Sequence, residues 1–138
     1  ELRSEEMEVI NLRIQKKYKE IEEKEVRFEE YLLDDAEYAI VAFGSAARIA
    51  KKSIEIARSQ GIKVGLLRPI TLWPFPTKEV QKLAGKVKGI LSLEINAGQM
   101  VEDIRLAVEG KVPVQHFGRL GGIIPDPDEV VDAIKRLF

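Results

Sequence analysis

From Tyr38 onward, short and almost unbroken apolar runs alternate with longer stretches in which apolar residues recur every three or four positions. The apolar runs are Tyr38 to Phe43, Lys63 to Leu67 and Gly89 to Ile95, followed by the alternating Val112 to His116. Between and after them, Gly44 to about Ser59, a segment opening at Thr77, Gln99 to Val108 and a segment launched at Asp126 carry helical periodicity. Val80, Leu83, Ala84 and Val87 share one face, as do Met100, Ile104 and Ala107, and as do Val130, Val131, Ile134 and Leu137. Strands that are apolar on both sides need cover on both sides. Repeated strand-then-helix units therefore predict a three-layer α/β/α sandwich with a mainly parallel, doubly wound sheet and right-handed crossovers.

Local signals place the ends of these elements. Ser45 and Thr77 are read as helix N-caps, Gly61 as a C-cap, and Asn96-Ala97-Gly98 as a turn. Asp126-Pro127-Asp128-Glu129 supplies a cap, a proline at the first helical position and an acid three residues after the cap.

Upstream the pattern differs. From Ser4 to about Lys24, Met7, Ile10, Ile14, Tyr18 and Ile21 form one apolar stripe among charges, which predicts an amphipathic helix. It packs either on its own domain or against a partner chain. Val26 to Asp35 reads as an extended connector, so residues 1–35 form a linker helix with its connector and residues 36–138 the α/β domain. An opening residue of Glu1 and a first helix without a core suggest a piece of a longer polypeptide.

At 138 residues, 45% hydrophobic and 33% charged, the chain has material for one domain with a real core. A net charge of -1 supplies no field for gripping nucleic acid or anionic membranes. Without cysteine, the chain has no thiolate nucleophile, no cysteine-ligated zinc and no cysteine-ligated iron–sulfur cluster of its own. No apolar run approaches the roughly 18 residues of a membrane span and no signal pattern opens the chain, so a cytoplasmic location is expected. Abundant Glu, Lys, Arg, Ile and Val resemble a heat-adapted composition.

In a doubly wound sheet, ligands bind outside the carboxyl ends of the strands. That edge carries Gly44-Ser45, the loop from Arg68 to Pro76, Asn96 to Gln99, and His116 to Gly122. Gly44-Ser45 either caps a helix or presents N–H groups to an anion. Neither GxGxxG nor GxxxxGK[ST] occurs, which disfavours a nucleotide site. Arg68 either clamps a carboxylate or phosphate or makes an interdomain ion pair. The loop after it holds the only Trp and three of the six prolines, so Trp73, Pro74, Phe75 and Pro76 are stiffly held. Its aromatics either stack on a flat ligand or fill an interface. Glu94, Asn96, Gly98 and Gln99 form either a polar pocket or a structural turn. His116 lacks a second histidine or a cysteine for a metal set and an evident nucleophile for a triad, and reads as a strand-end hydrogen-bonder. No residue is assigned a catalytic or metal-binding role.

Taken together, Tyr38 to Ser45, Gly61 to Pro76 with its Thr-Leu-Trp-Pro-Phe-Pro wording, and Leu93 to Gln99 resemble the C-terminal part of the α subunit of 2-oxoacid:ferredoxin oxidoreductases. The resemblance runs in order from about Tyr31 to Phe138 and is nearer the 2-oxoglutarate or 2-ketoisovalerate type than the pyruvate type. It implies a transketolase C-terminal-like domain in an enzyme that converts a 2-oxoacid, coenzyme A and oxidised ferredoxin to acyl-CoA, CO2 and reduced ferredoxin. In that family the thiamine diphosphate, magnesium and iron–sulfur clusters are held elsewhere: by the rest of the α subunit, a thiamine-binding β subunit, and an iron–sulfur subunit or ferredoxin. The isolated chain is then expected to bind no cofactor and to be inactive, serving structure and assembly. The alternatives are a stand-alone α/β domain for a small ligand or nucleotide, and a scaffold whose first helix recruits a partner.

Overall fold

The computed structural model describes residues 3–138. Helix α1 (Ser4–Lys24) leads to strand β1 (Phe28–Tyr31), and then β2 (Tyr38–Val41), α2 (Gly44–Ser59), β3 (Val64–Pro69), α3 (Thr77–Ala84), β4 (Gly89–Glu94), α4 (Met100–Val108), β5 (Val114–Gly118) and α5 (Pro127–Lys135) alternate. The sheet order is β1-β3-β2-β4-β5. Strands β3, β2, β4 and β5 run parallel, and β1 joins the edge antiparallel to β3 with Glu29 opposite Arg68. The segment read as an extended connector thus contributes a fifth strand. Its sequence, Phe-Glu-Glu-Tyr, is half-exposed throughout because only an edge is open to it.

The period of two along each strand sorts the core into halves. Ala39, Val41, Leu67 and Ile90 face α3 and α4, where Val80, Leu83, Met100, Ile104 and Val108 meet them. Ile40, Leu66, Leu91 and Leu93 face α2 and α5, meeting Ala46, Ala50, Ile54, Ala57, Val130 and Ile134. The alanines along α2 bring that helix close to the sheet, and Ala50, Ile54 and Ala57 have no exposed surface. The three-layer sandwich predicted from apolar spacing is the observed architecture.

The helix ends differ in detail from their sequence signals. Phe43 and Pro76, not Ser45 and Thr77, occupy the cap positions of α2 and α3, and neither helix has a side-chain cap. Helix α2 starts two residues, and α3 one residue, earlier than a capping hydroxyl requires, so Ser45 and Thr77 already lie within them. At α5 the full capping box forms: Asp126 Oδ1 accepts the Asp128 N–H at 3.0 Å and Glu129 Oε2 accepts the Asp126 N–H at 3.0 Å. Asp126→Ala is expected to lower stability by about 1 kcal/mol, measured by urea unfolding.

Helix α1 buries none of its residues. Near its carboxyl end the Tyr18 ring meets Trp73 edge-on, centroids 5.5 Å apart. Among the described residues no helix is long and apolar enough to cross a membrane.

The carboxyl edge of the sheet as the candidate functional site

Strand β4 ends at a carboxylate with no exposed side-chain surface. Glu94 Oε1 accepts the N–H groups of Met100 at 2.8 Å and Gln99 at 3.2 Å, while Oε2 accepts the N–H of Val101 at 3.1 Å and the Ser92 hydroxyl at 3.0 Å. The Asn96 amide donates to Oε1 at 3.2 Å, and Asn96 Oδ1 in turn accepts the Gly98 N–H at 2.7 Å. The first turn of α4 thus leaves its otherwise orphaned donors on one carboxylate. Burial pushes the Glu94 carboxyl up, but the donors from Met100, Gln99, Ser92 and Asn96 together outweigh it and hold the group below its usual value.

Asn96, Gly98 and Gln99 therefore build a turn around a buried anion that belongs to the chain itself. Gly98 adopts φ +110, which explains the glycine in that turn. His116 Nδ1 lies 3.4 Å from Glu94 Oε2 and is buried without a hydrogen-bond partner. Gly118 lets β5 close over this turn, since a Cβ there would lie 2.3 Å from the Asn96 carbonyl oxygen.

Arg68 does not point to an open pocket. Its guanidinium reaches Glu29 of β1 at 2.9 Å, and Lys51 holds the other oxygen of the same carboxylate at 2.5 Å. Lys51 and Arg68 hold the Glu29 carboxyl low by hydrogen bonds that exceed its desolvation. The ion pair lies within the fold, between adjacent strands. Gly44 and Ser45 are exposed at the start of α2.

The proline loop is pinned at Thr71. The Thr71 hydroxyl donates to the Pro74 carbonyl at 2.8 Å and accepts the Arg27 N–H at 3.0 Å, while the Ile70 N–H donates to the Arg27 carbonyl at 2.9 Å. The Trp73-Pro74 bond is cis, Pro74 and Pro76 are buried, and Phe75 packs on the core half beneath α3 and α4. Trp73 remains 55% exposed, so within one loop Phe75 faces inward and Trp73 outward. A cleft of about 780 Å³ opens beside Trp73, between the end of α1 and this loop, with Glu22, Glu23, Phe28 and Lys78 along its walls.

Sequence reasoning missed how much of this edge is apolar and uncovered. Ile70 and Leu72 after β3, and Leu120, Ile123 and Ile124 after β5, are all about half exposed or more. Ile123-Ile124 sits between glycines and a proline, outside any helical or strand period, and that misplacement was the available signal. Among the described residues no three His, Asp or Glu side chains converge as metal ligands would.

A five-stranded, mainly parallel sheet between two helical layers, preceded by a long helix, is the transketolase C-terminal-like class of domain. The chain can be superposed on 2-oxoglutarate:ferredoxin oxidoreductase from Magnetococcus marinus with a TM-score of 0.82 at 20% identity, covering 99% of this chain and 24% of that one. A split-gene transketolase superposes with a TM-score of 0.68 at 16% identity over 79% of this chain and 41% of that one. Residues 36–130 match the pyruvate:ferredoxin oxidoreductase core domain II family, and the chain belongs to it.

The ketoisovalerate oxidoreductase subunit VorB of Methanothermobacter thermautotrophicus is 46% identical over 132 residues, 96% of this chain and 37% of the relative. The 2-oxoglutarate synthase subunit KorA of Methanothermobacter marburgensis is 31% identical over 104 residues, 75% of this chain and 28% of the relative. The chain spans between about a quarter and little more than a third of the length of these curated relatives.

Proposed function

We propose that the chain is the assembly domain of a thiamine diphosphate-dependent 2-oxoacid:ferredoxin oxidoreductase α subunit that acts on 2-ketoisovalerate or 2-oxoglutarate. The observation that carries this reading is the apolar carboxyl edge. Ile70, Leu72, Trp73, Leu120, Ile123 and Ile124, in the loops that leave the carboxyl ends of β3 and β5, are each about half exposed or more, as apolar residues awaiting a partner's cover would be. The likeness to VorB and KorA subunits supports the choice of enzyme.

The residues present do not fit thiamine diphosphate and its magnesium. A diphosphate needs open N–H donors and a metal needs convergent oxygens. The first turn of α4 gives its N–H groups to Glu94. Its carboxylate also repels a second anion. Although the first turn of α2 has no side-chain cap, no three His, Asp or Glu side chains converge among the described residues to hold the magnesium that must accompany a diphosphate. The cofactor, the clusters and the reacting carbons are therefore assigned to the rest of the α subunit, the thiamine-binding β subunit and an iron–sulfur subunit or ferredoxin. Calorimetric titration with thiamine diphosphate and Mg2+ is expected to show no tight binding by this chain alone, and tight binding would refute the assignment.

Trp73 separates assembly from folding. Because it is 55% exposed, Trp73→Ala is expected to change the stability of the isolated chain by no more than about 1 kcal/mol. In the intact oxidoreductase the same substitution, combined with Leu72→Ala, should loosen subunit assembly on size exclusion. Unchanged assembly would mean that this edge is not the interface.

A further inference from the structure

We propose that α1 is a self-pairing element: its amino-terminal half docks antiparallel against α1 of a second copy of this chain. Met7 and Ile10 are each 43% exposed, and Ile14 is the one residue of their stripe before Ile21 that is even half-buried. These three recur at steps of three and four, so they lie on one stripe of the helix. The stripe lies amino-terminal to Tyr18, where Trp73 packs, and so is clear of the proline loop.

The charges along the helix identify the occupant. Glu5, Glu6 and Glu8 precede Arg13, Lys16 and Lys17, so an antiparallel copy lays acid against base over the middle of the overlap, with Arg3 opposite Lys17 as a like-charged pair at each end. The match is finer than that polarity. Glu6 and Arg13, seven residues apart, lie on the same flank of the stripe, whereas the opposite flank carries uncharged Asn11 and Gln15.

A two-fold axis perpendicular to antiparallel helices sets like flank against like flank. With the axis near Ile10, Met7 meets Ile14 of the second copy, Ile10 meets its own equivalent, and Glu6 meets Arg13 on both sides of the axis. Parallel pairing would set Glu6 and Arg13 against Asn11 and Gln15 and form neither pair. The interface is isologous and closed, so it stops at a dimer. It is also separate from the carboxyl edge, and the two can be occupied together.

Sedimentation equilibrium of the 138-residue chain tests this. At low ionic strength the weight-average mass is expected to rise with concentration from 15.6 kDa toward twice that value, and to fall back as salt is added. Glu6→Arg alone and Arg13→Glu alone should each raise the dissociation constant about tenfold or more, because both symmetric pairs become repulsive. Mixing the two variants should restore association as a heterodimer, since each now supplies the charge that the other lacks.

Both residues are exposed, so an unchanged circular dichroism spectrum is expected and removes misfolding as an explanation. A parent chain that stays monomeric at about 1 mM, well above the weak-binding range, overturns the proposal. So does undiminished self-association of the single variants, or a mixture that remains monomeric. None of these outcomes bears on the Trp73 test, which reads a different face.

Discussion

Glu94→Ala is expected to lower the stability of the chain by about 3 kcal/mol or more, since buried donors left without their charged acceptor cost about 1–3 kcal/mol each and relax only in part. The groups concerned are the N–H groups of Gln99, Met100 and Val101 and the Ser92 hydroxyl. The bonds from Met100, Val101 and Ser92 are buried, and that from Gln99 is part-buried. For a domain of this size the loss corresponds to a fall in Tm on the order of 10 °C. Glu94→Gln keeps the shape but has one acceptor oxygen where the carboxylate has two, and a smaller loss is expected.

The same carboxylate predicts a pH dependence whose sign is fixed by its direction of shift. Its folded value lies below the ordinary glutamate value of 4.5. A group depressed on folding contributes its full stabilisation above the unfolded value and loses it as pH falls through the folded one. Stability should therefore be level near neutrality and fall below about pH 4.5, the unfolded value for a glutamate. Glu29, lowered by its bonds to Lys51 and Arg68, acts in the same direction, with its share reduced by exposure. The gap between the parent and Glu94→Gln should narrow over that acid range. A gap that stays constant between pH 7 and pH 3 in urea unfolding would remove Glu94 as the titrating cap.

The second large effect lies at the opposite end of the sheet. A Cβ at Gly65 would sit 2.5 Å from the Leu32 carbonyl oxygen and 2.7 Å from Leu33 Cδ2, inside the turn that follows β1. Backbone cannot swing aside as a side-chain tip can. The turn is held by the pairing of Tyr31 with Leu66 and Glu29 with Arg68, and Leu32 already adopts φ +53. Gly65→Ala is expected to cost about 2–3 kcal/mol, in the range of overpacked cores, with the β1 amides losing hydrogen-exchange protection before those of β2 and β4. Gly89→Ala is the control, because its nearest neighbours, at 3.4 to 3.6 Å, are in ordinary contact. If Gly65→Ala were as stable as the parent with β1 still protected, β1 would not be locked to the sheet as described.

These two positions show what could be read in advance. Glu94, Asn96 and Gln99 stand out in the sequence because polar residues closing an apolar strand are conspicuous. Whether they faced a ligand or their own helix depended on where the first turn of α4 ends up, which sequence spacing does not encode. Gly65 does not stand out, since a glycine inside an apolar run has no local signature of close approach. Arg68 is conspicuous too, yet its partner Glu29 lies 39 residues away on a strand whose sequence reads as a connector.

The sequence by itself determined the layer architecture, because apolar spacing dictates which faces must be buried and the capping box at Asp126 dictates where α5 begins. It also determined that the Trp73 to Pro76 loop is stiff, because proline restricts its own φ and its predecessor. Tertiary structure alone decided that β1 closes the sheet antiparallel, that Phe75 turns inward while Trp73 stays exposed, and that the carboxyl edge is apolar, with one helix N-terminus already satisfied by Glu94. Those outcomes rest on contacts between residues far apart in the chain, and the free energy of such contacts depends on distances that only the folded backbone sets.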